Sequence, residues 1–177
     1  IYWVRYGSNK NIILSNKEIK GFCSFVYSRN VKYRNSFCKK LAKYKKIGCG
    51  GGSLNNLGGR VKNKITFQNK FKFCIAFEHI SYPGYATEKI LEAYISNCIP
   101  IYYGSETIED DFNSETFINS NNFKDDNEMI EYIKKVDNND DLYNSFLNKP
   151  IFSKKWLDIM NDPEEKFLKN IAKKIIE

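Results

Sequence analysis

Two short stretches of the chain carry side chains suited to holding an anion. In the first, an apolar run ends in Glu78, a loop from His79 to Ala86 presents Tyr85, and Thr87-Glu88-Lys89 opens a segment with helical spacing. Thr87 is a good N-cap residue. An acid in a first helical turn suits the positive end of the helix dipole, so Glu88 has an ordinary structural explanation. A lysine there does not suit the dipole. Lys89 fits if an anion docks on the free backbone N–H groups of that helix end, and otherwise reads as a solvated surface lysine. The second stretch runs from Ser28 to Arg34, where Arg34 follows a strand-like run and opens a helix. A guanidinium so placed can grip a phosphate through two parallel hydrogen bonds. The alternative is a solvated arginine at a helix start.

Other chemistries find less support. The glycine-rich stretch 48–59 lacks both the Gly-x-x-x-x-Gly-Lys-Ser/Thr of a P-loop and the Gly-x-Gly-x-x-Gly of a dinucleotide fold. It says only that backbone turns tightly there or approaches something closely. His79 is the single histidine, so neither a Ser-His-Asp triad nor a multi-histidine metal site can be built within this chain. The acid pairs Asp110-Asp111, Asp125-Asp126 and Asp140-Asp141 read as caps and solvated faces. No metal site is expected.

Charge is unevenly spread. Residues 1–72 hold 13 Lys and 4 Arg against one acid, a net +16, whereas residues 73–177 hold 11 Lys against 20 acids, a net −9. This pattern reads either as two solvated faces that attract each other or as an anion site in the first part. The 24 Lys, 21 Asn and 21 Ile are what AT-rich codons produce, which weakens the case for nucleic-acid binding. In such a background each arginine (Arg5, Arg29, Arg34, Arg60) points to a need for its planar fork. The five cysteines are odd in number, with no Cys-x-x-Cys and no zinc spacing; Cys23, Cys74 and Cys98 sit in apolar runs as reduced core residues. Despite 21 Asn there is no Asn-x-Ser/Thr sequon. Both features lean towards a reducing, cytosol-like compartment.

The elements that would position these residues follow from length and period. At 177 residues the chain suits one ordinary domain or one half of a larger enzyme, and its start at Ile1, without an initiator Met or a signal-peptide layout, reads as a fragment. No apolar run approaches the roughly 20 residues of a membrane span. Strands are expected at 22–27, 72–78, 99–103 and 117–118. Helices are expected at 33–44, 61–70, from Thr87 to about Asn97, at 127–137 and 140–147, and from near Pro163 onward. Strands alternating with helices, without a hairpin signal, predict an α/β fold: a Rossmann-like parallel sheet with helices on both faces. Ligands of such sheets bind beyond the carboxyl ends of the strands, here the loops 28–34, 48–59, 79–89 and 103–107.

Residues 71–90, with Phe77-Glu78-His79 and Tyr85-Ala-Thr-Glu-Lys89, followed by Ile99-Pro-Ile-Tyr-Tyr-Gly104, resemble the signature of the α-1,3/4-fucosyltransferases of glycosyltransferase family 10. Phe25-Val-Tyr-Ser28 with Tyr33-Arg-Asn-Ser-Phe37, and the turn from Gly50 to Asn56, are similar to further family segments. The likeness covers about 21–152. It implies the C-terminal, donor-binding domain of a GT-B glycosyltransferase, with residues 1–20 as the tail of a preceding region or linker, 21–152 as a GDP-fucose-binding Rossmann-like domain and 153–177 as a helical extension.

The resemblance implies that Arg34 and Lys89 grip the diphosphate of GDP-fucose, that Glu88 and Tyr85 contact the nucleotide-sugar, and that Ser28, Lys72, His79, Gly50 and Gly51 line the same cleft. The implied reaction is inverting transfer of L-fucose to a hydroxyl of an acceptor oligosaccharide or glycoconjugate. Glu88 would stabilise the oxocarbenium-like sugar and Arg34 and Lys89 the leaving diphosphate, with no cofactor or metal required and the general base in a preceding domain. Three departures from the family pattern stand out: His79 replaces a usual Asn, the loop 28–34 is one residue short with Arg29 where Asn is frequent, and Gly48 stands where an Asp often precedes the turn. Three other readings remain: a GDP-sugar-binding module without turnover, a GT-B transferase for another nucleotide sugar, and a basic nucleic-acid-binding domain. The expected partners exclude nucleic acid. The expected compartment is the cytoplasm for a bacterial or viral chain, and the lumenal side of the Golgi membrane for a eukaryotic one with its anchor elsewhere.

Overall fold

A computed structural model of the chain describes residues 18–161. Its centre is the run Phe71–Phe77, a strand (β3) buried on both faces along its later residues, which is why its sequence is continuously apolar from Phe73 onward rather than alternating. Four strands flank it, all parallel: β1 (Gly21–Phe25), β2 (Ile47–Cys49), β4 (Ile99–Tyr103) and β5 (Ile118–Asn119), in the order β2-β1-β3-β4-β5. Register pairs Cys23 with Ile47 and Phe73, and Phe73 with Ile99.

Successive side chains of the strands feed two cores. Phe73, Ile75 and Phe77 pack with α1 (Lys32–Leu41) and with two later helices, Asp126–Asp137 and Asp140–Leu147, while Cys74 and Ala76 pack with the helix Glu88–Ile95. The short α2 (Lys64–Gln68) precedes β3, and Glu88–Ile95 is therefore α3, with α4 (Asp126–Asp137), α5 (Asp140–Leu147) and α6 (Lys154–Asn161) completing the set among the described residues. Asp125 caps α4 by accepting the N–H groups of Asn127 and Glu128, and Asn139 caps α5 through Leu142. At the end of α3, Asn97 takes a left-handed φ of 53°, and the N–H groups of Asn97 and Cys98 return to Tyr94 and Ala93, a Schellman turn that aims the chain into β4.

The expected sheet with helices on both faces is present. One strand was absent from the sequence reading: β2 lies inside the stretch expected to be only a glycine-rich turn. It has three residues with Gly48 at its middle, and the Phe71 ring leaves no room there, since a Cβ on Gly48 would lie 2.4 Å from its Cζ. The basic helix expected over 61–70 shrinks to the five residues of α2. The helix expected from Pro163 lies outside the described residues, and α6 precedes it, tied back by Trp156 Nε1 donating to Asp111 at 2.7 Å.

The path of the chain sets the site. From β1 the chain passes through α1 on one face to the edge strand β2, then returns to β3 and continues through α3 on the other face. Chain direction across the sheet therefore switches between β1 and β3, and the crevice beyond their carboxyl ends is the binding position of such sheets.

Candidate active site

β1 stops pairing with β3 at Ser24, but β3 runs on for three more residues, which leaves its backbone short of partners on that side. Tyr27 fills the gap. Its hydroxyl accepts the Phe77 N–H at 2.7 Å and donates to the Ile75 carbonyl at 2.8 Å. Burial raises its pKa well above the ordinary phenol value, so it stays a neutral donor and acceptor.

On the Tyr27 ring lies Arg34, with its guanidinium carbon 3.9 Å from the ring centroid. Arg34 stands in the first turn of α1 and is 5% exposed. Its Nε has no hydrogen-bond partner, and among the described residues no carboxylate pairs with it. A buried cation without a counter-charge is costly, and cation–π stacking compensates only in part. An anion arriving in the crevice would supply what is missing.

The glycine-rich loop is stitched to the same place. Gly50 N–H donates to the Phe25 carbonyl at 3.0 Å and Ser53 N–H to the Tyr27 carbonyl at 2.8 Å. A Cβ on Gly51 would lie 2.1 Å from that Tyr27 oxygen, so only glycine permits this approach. The Ser53 hydroxyl lies within 2.8 Å of Asn30 Oδ1 and 2.9 Å of Asn35 Oδ1, joining the loop to the exposed turn that carries Ser28. Gly50, Gly51, Ser28 and Arg34 are thus brought together.

On the other side of the switch, α3 opens at Thr87, which does not cap its helix. Its side chain is engaged by Glu78, the residue that follows β3. Glu78, 1% exposed, accepts the Thr87 N–H at 2.9 Å and the Thr87 hydroxyl at 2.8 Å, and pairs with Lys89 Nζ at 2.9 Å. Lys89 also donates to the Thr87 hydroxyl at 2.6 Å and lies 3.3 Å from Glu88. Partial burial pushes the Lys89 pKa down, but the hydrogen bond and charge of Glu78, with Glu88, outweigh it and raise the value above that of an ordinary lysine. Partial burial likewise pushes the Glu88 carboxyl up, while its own backbone N–H and Lys89 outweigh that and hold it below the usual range. Lys89 is a fixed ammonium, and Glu88, more exposed, is a fixed carboxylate facing outward.

Glu78 has room because residue 104 is glycine: a Cβ there would lie 2.7 Å from Glu78 Cγ and 2.4 Å from the Tyr102 hydroxyl. The loop between Glu78 and Thr87 exposes His79 and Tyr85. It is pinned by Ser81 Oγ donating to the Gly104 carbonyl at 2.7 Å and by Gly84, at φ 76°, donating to Ser105 Oγ at 2.9 Å.

Lys72 is not part of this cluster, which corrects its placement in the cleft. It is the second residue of β3, and six residues of strand carry it about 20 Å from Glu78, towards the opposite end of the sheet. There its ammonium donates to Oδ1 of Asp137 at 3.1 Å and to the Asp137 carbonyl at 2.9 Å. Two members of the cluster, Tyr27 and Glu78, were not among the residues expected to line it. An acid at the end of a fully apolar run was the available signal for Glu78, because such a carboxylate must find donors when buried.

Residues 15–161 match the family model for the C-terminal part of glycosyltransferase family 10 (fucosyltransferase). The chain belongs to glycosyltransferase family 10. Among curated relatives of this family it is 42% identical to an α-(1,3)-fucosyltransferase of Helicobacter pylori over 125 residues, which are 70% of this chain and 26% of the relative. It is 40% identical to α-(1,3)-fucosyltransferase B of Drosophila melanogaster over 111 residues, 59% of this chain and 24% of that one. The mouse 4-galactosyl-N-acetylglucosaminide 3-α-L-fucosyltransferase 9 is 30% identical over 120 residues, 67% and 32% respectively. A crystal structure of an α1,3-fucosyltransferase with GDP-fucose superposes with a TM-score of 0.72 at 42% identity, covering 73% of this chain and 38% of that one. The chain thus spans about a quarter to a third of the length of these curated relatives. The family fold agrees with the parallel five-stranded sheet found here.

Proposed function

We propose that this chain is the donor-binding part of a fucosyltransferase, holding GDP-fucose in the crevice between α1 and α3. The observation that carries the reading is Arg34: a buried guanidinium with an unsatisfied Nε and no carboxylate partner among the described residues, placed at the topological switch point. The relative solved with GDP-fucose supports the choice of ligand. Arg34 and the α3 N-terminus with Lys89 bracket the diphosphate; Gly50, Gly51, Ser28, His79 and Tyr85 border the rest of the nucleotide-sugar.

In this reading an acceptor hydroxyl loses its proton to a base outside the cluster, and its oxygen attacks C1 of fucose. The C1–O bond to the diphosphate breaks, and the electron pair leaves with GDP. Charge grows on the leaving oxygens, where Arg34 and Lys89 are already placed and need no reorganisation. Ionised Glu88 favours positive charge on the departing sugar ring. Arg34 supplies most of the charge neutralisation that a divalent metal supplies in other transferases, Lys89 and the α3 N–H groups hold the phosphate in place, and transfer in the presence of a chelator is the expected result.

Calorimetric titration of the chain with GDP-fucose, against GDP-mannose and UDP-galactose, tests the reading. Selective heat with GDP-fucose is expected, and equal silence with all three would sink it. A second reading is a GDP-sugar-binding module without turnover. Fucose transfer by this chain alone to a galactosyl-N-acetylglucosaminide, the acceptor type in the mouse relative's name, separates the two. We place the protein in a reducing compartment, a reading supported by Cys23, Cys38 and Cys49, buried as free thiols.

A further inference from the structure

Two cysteines that the proposed reaction does not use meet where the edge strand β2 packs on α1. Along β2, Ile47 and Cys49 turn towards α1, while Gly48 between them faces Phe71 on the other side. On α1, Cys38 lies one helical turn after Arg34, on the buried face that also carries Phe37 and Leu41. Both cysteines are free thiols. An open cleft of about 380 Å³ runs along the junction, and Cys38, Cys49, Lys39 and Lys46 border it. Among the described residues no strand lies beyond β2. The Asn56 side chain takes that place, accepting the Cys49 N–H at 2.9 Å and donating to the Ile47 carbonyl at 2.8 Å, so the cleft beside Cys49 stays open.

The two thiols are unequal. The Cys38 thiol donates to the Cys49 sulfur, and this bond holds the Cys49 pKa below the ordinary thiol value although burial pushes it up. The same bond, reinforced by burial, raises Cys38. Lys39 and Lys46 add positive charge at the cleft, which favours a thiolate. Cys49 thus has the character of an attacking thiol, and Cys38 that of a resolving partner. Cys23 in the same core differs: it is 0% exposed against 5% for Cys49, and burial raises its pKa well above the ordinary value.

We propose that Cys38 and Cys49 form an oxidation site, which a small hydroperoxide closes to a disulfide between α1 and β2. The Cys49 thiolate attacks one peroxide oxygen. The O–O bond breaks, and the other oxygen leaves as an alcohol, or as water from hydrogen peroxide, with the proton that Cys49 had released. The Cys38 sulfur then attacks the sulfenic sulfur of Cys49. The S–S bond forms, the S–O bond breaks, and hydroxide leaves as water with the Cys38 proton. The two thiols lose two electrons and the peroxide gains them. A disulfide holds its sulfurs about 2 Å apart, closer than any hydrogen bond, so closure draws the end of β2 towards α1. Gly50 and Gly51 follow Cys49 directly, and Gly51 lies against the Tyr27 carbonyl beneath Arg34. Oxidation should therefore loosen the platform of Arg34 and weaken GDP binding. That consequence rests on the donor reading; the disulfide does not.

Treatment of the 177-residue chain with hydrogen peroxide, followed by peptide mapping in a mass spectrometer, tests the proposal. One Cys38–Cys49 disulfide is expected, reversed by dithiothreitol. Cys38→Ser should stop at a Cys49 sulfenic acid that dimedone traps, and Cys49→Ser should leave Cys38 reduced. In the wild-type chain, both thiols still reduced at millimolar peroxide, a disulfide to Cys23 instead, or Cys49 carried on to sulfinic acid without a disulfide would each overturn the site. The oxidised chain should bind GDP about tenfold more weakly, with dithiothreitol restoring the affinity. Unchanged affinity with the disulfide in place overturns the coupling to the crevice and keeps the oxidation site. A chain that forms the disulfide but ignores GDP in both states keeps the site and removes the donor reading.

Discussion

Replacing Arg34 by methionine separates a residue kept for packing from one kept for an anion. Methionine retains an apolar stem over the Tyr27 ring and has similar helix propensity, so the substitution removes little besides the guanidinium. In the unliganded chain the buried, unpartnered Nε costs about 1–3 kcal/mol, and its loss is a gain. Against that, stacking at 3.9 Å on a buried ring is worth about 1–2 kcal/mol, and that is forfeited. The two nearly cancel, so Arg34→Met should leave the unliganded chain as stable as the wild type or about 1 kcal/mol more stable. Binding responds differently. Two charge-assisted hydrogen bonds to a diphosphate are worth about 3–4 kcal/mol together, a several-hundredfold rise in Kd for GDP. Urea denaturation gives the first quantity and calorimetric titration the second. A variant that is clearly destabilised yet binds GDP as tightly as the wild type would make Arg34 a packing residue and refute the phosphate assignment.

Three further outcomes follow from the same geometry. Glu78→Gln keeps an acceptor for the Thr87 N–H but leaves Lys89 with only the more exposed Glu88 as a counter-charge, so urea denaturation should register a loss of about 3 kcal/mol; a change within 0.5 kcal/mol of zero, about the scatter of surface substitutions, would mean the pair is not structural. Gly51→Ala must displace the Tyr27 carbonyl and with it the platform under Arg34, so both Tm and GDP affinity should fall, and a neutral result in either would contradict the close approach. At Asp137, burial pushes the carboxyl up, but Lys45, Lys72 and Tyr44 outweigh it and hold the pKa below the ordinary value. Its contribution is therefore present above the unfolded-state value of about 4 and lost as pH falls through the lower folded value. Denaturation midpoints against pH should show a steeper acid limb for the wild type than for Asp137→Asn, and parallel limbs would remove this carboxylate from the account.

The sheet was legible because the run 72–78 is too apolar and too short for anything but a strand buried on both sides, and because a helix pattern follows each such run. β2 was not legible: with three residues around Gly48 it has no period to read, and it is a strand only because Gly48 and the later Phe71 fit together. Arg34 and Lys89 were legible as helix-start cations, a local property. What surrounds them was not, because Tyr27 reaches Phe77 and Ile75 about 50 positions away, and Glu78 reaches Thr87 across a loop whose closure depends on Gly104 and Ser105. Lys72 failed for the complementary reason. The resemblance set it in the cleft with the loop 79–89, but the length of a strand separates the two, and its charge is spent on Asp137.

The two cations of the crevice are held in opposite ways, and the difference has a consequence for binding. Lys89 is locked beneath Glu78 with a side chain 16% exposed, so its charge is largely neutralised before any ligand arrives. Among the described residues Arg34 has no such partner. An incoming diphosphate therefore meets one fixed dipole, built from Glu78, Lys89 and the N–H groups of α3, and one bare cation. The bare cation should dominate the gain in charge neutralisation, and the paired one should chiefly fix where the phosphate sits. Loss of Arg34 should then weaken GDP in nearly every salt concentration, whereas Lys89→Ala, which strands buried Glu78, should add a repulsion that salt screens poorly because the carboxylate is out of water. Equal losses with equal salt dependence in the two variants would show that the Glu78 pair does not distinguish them.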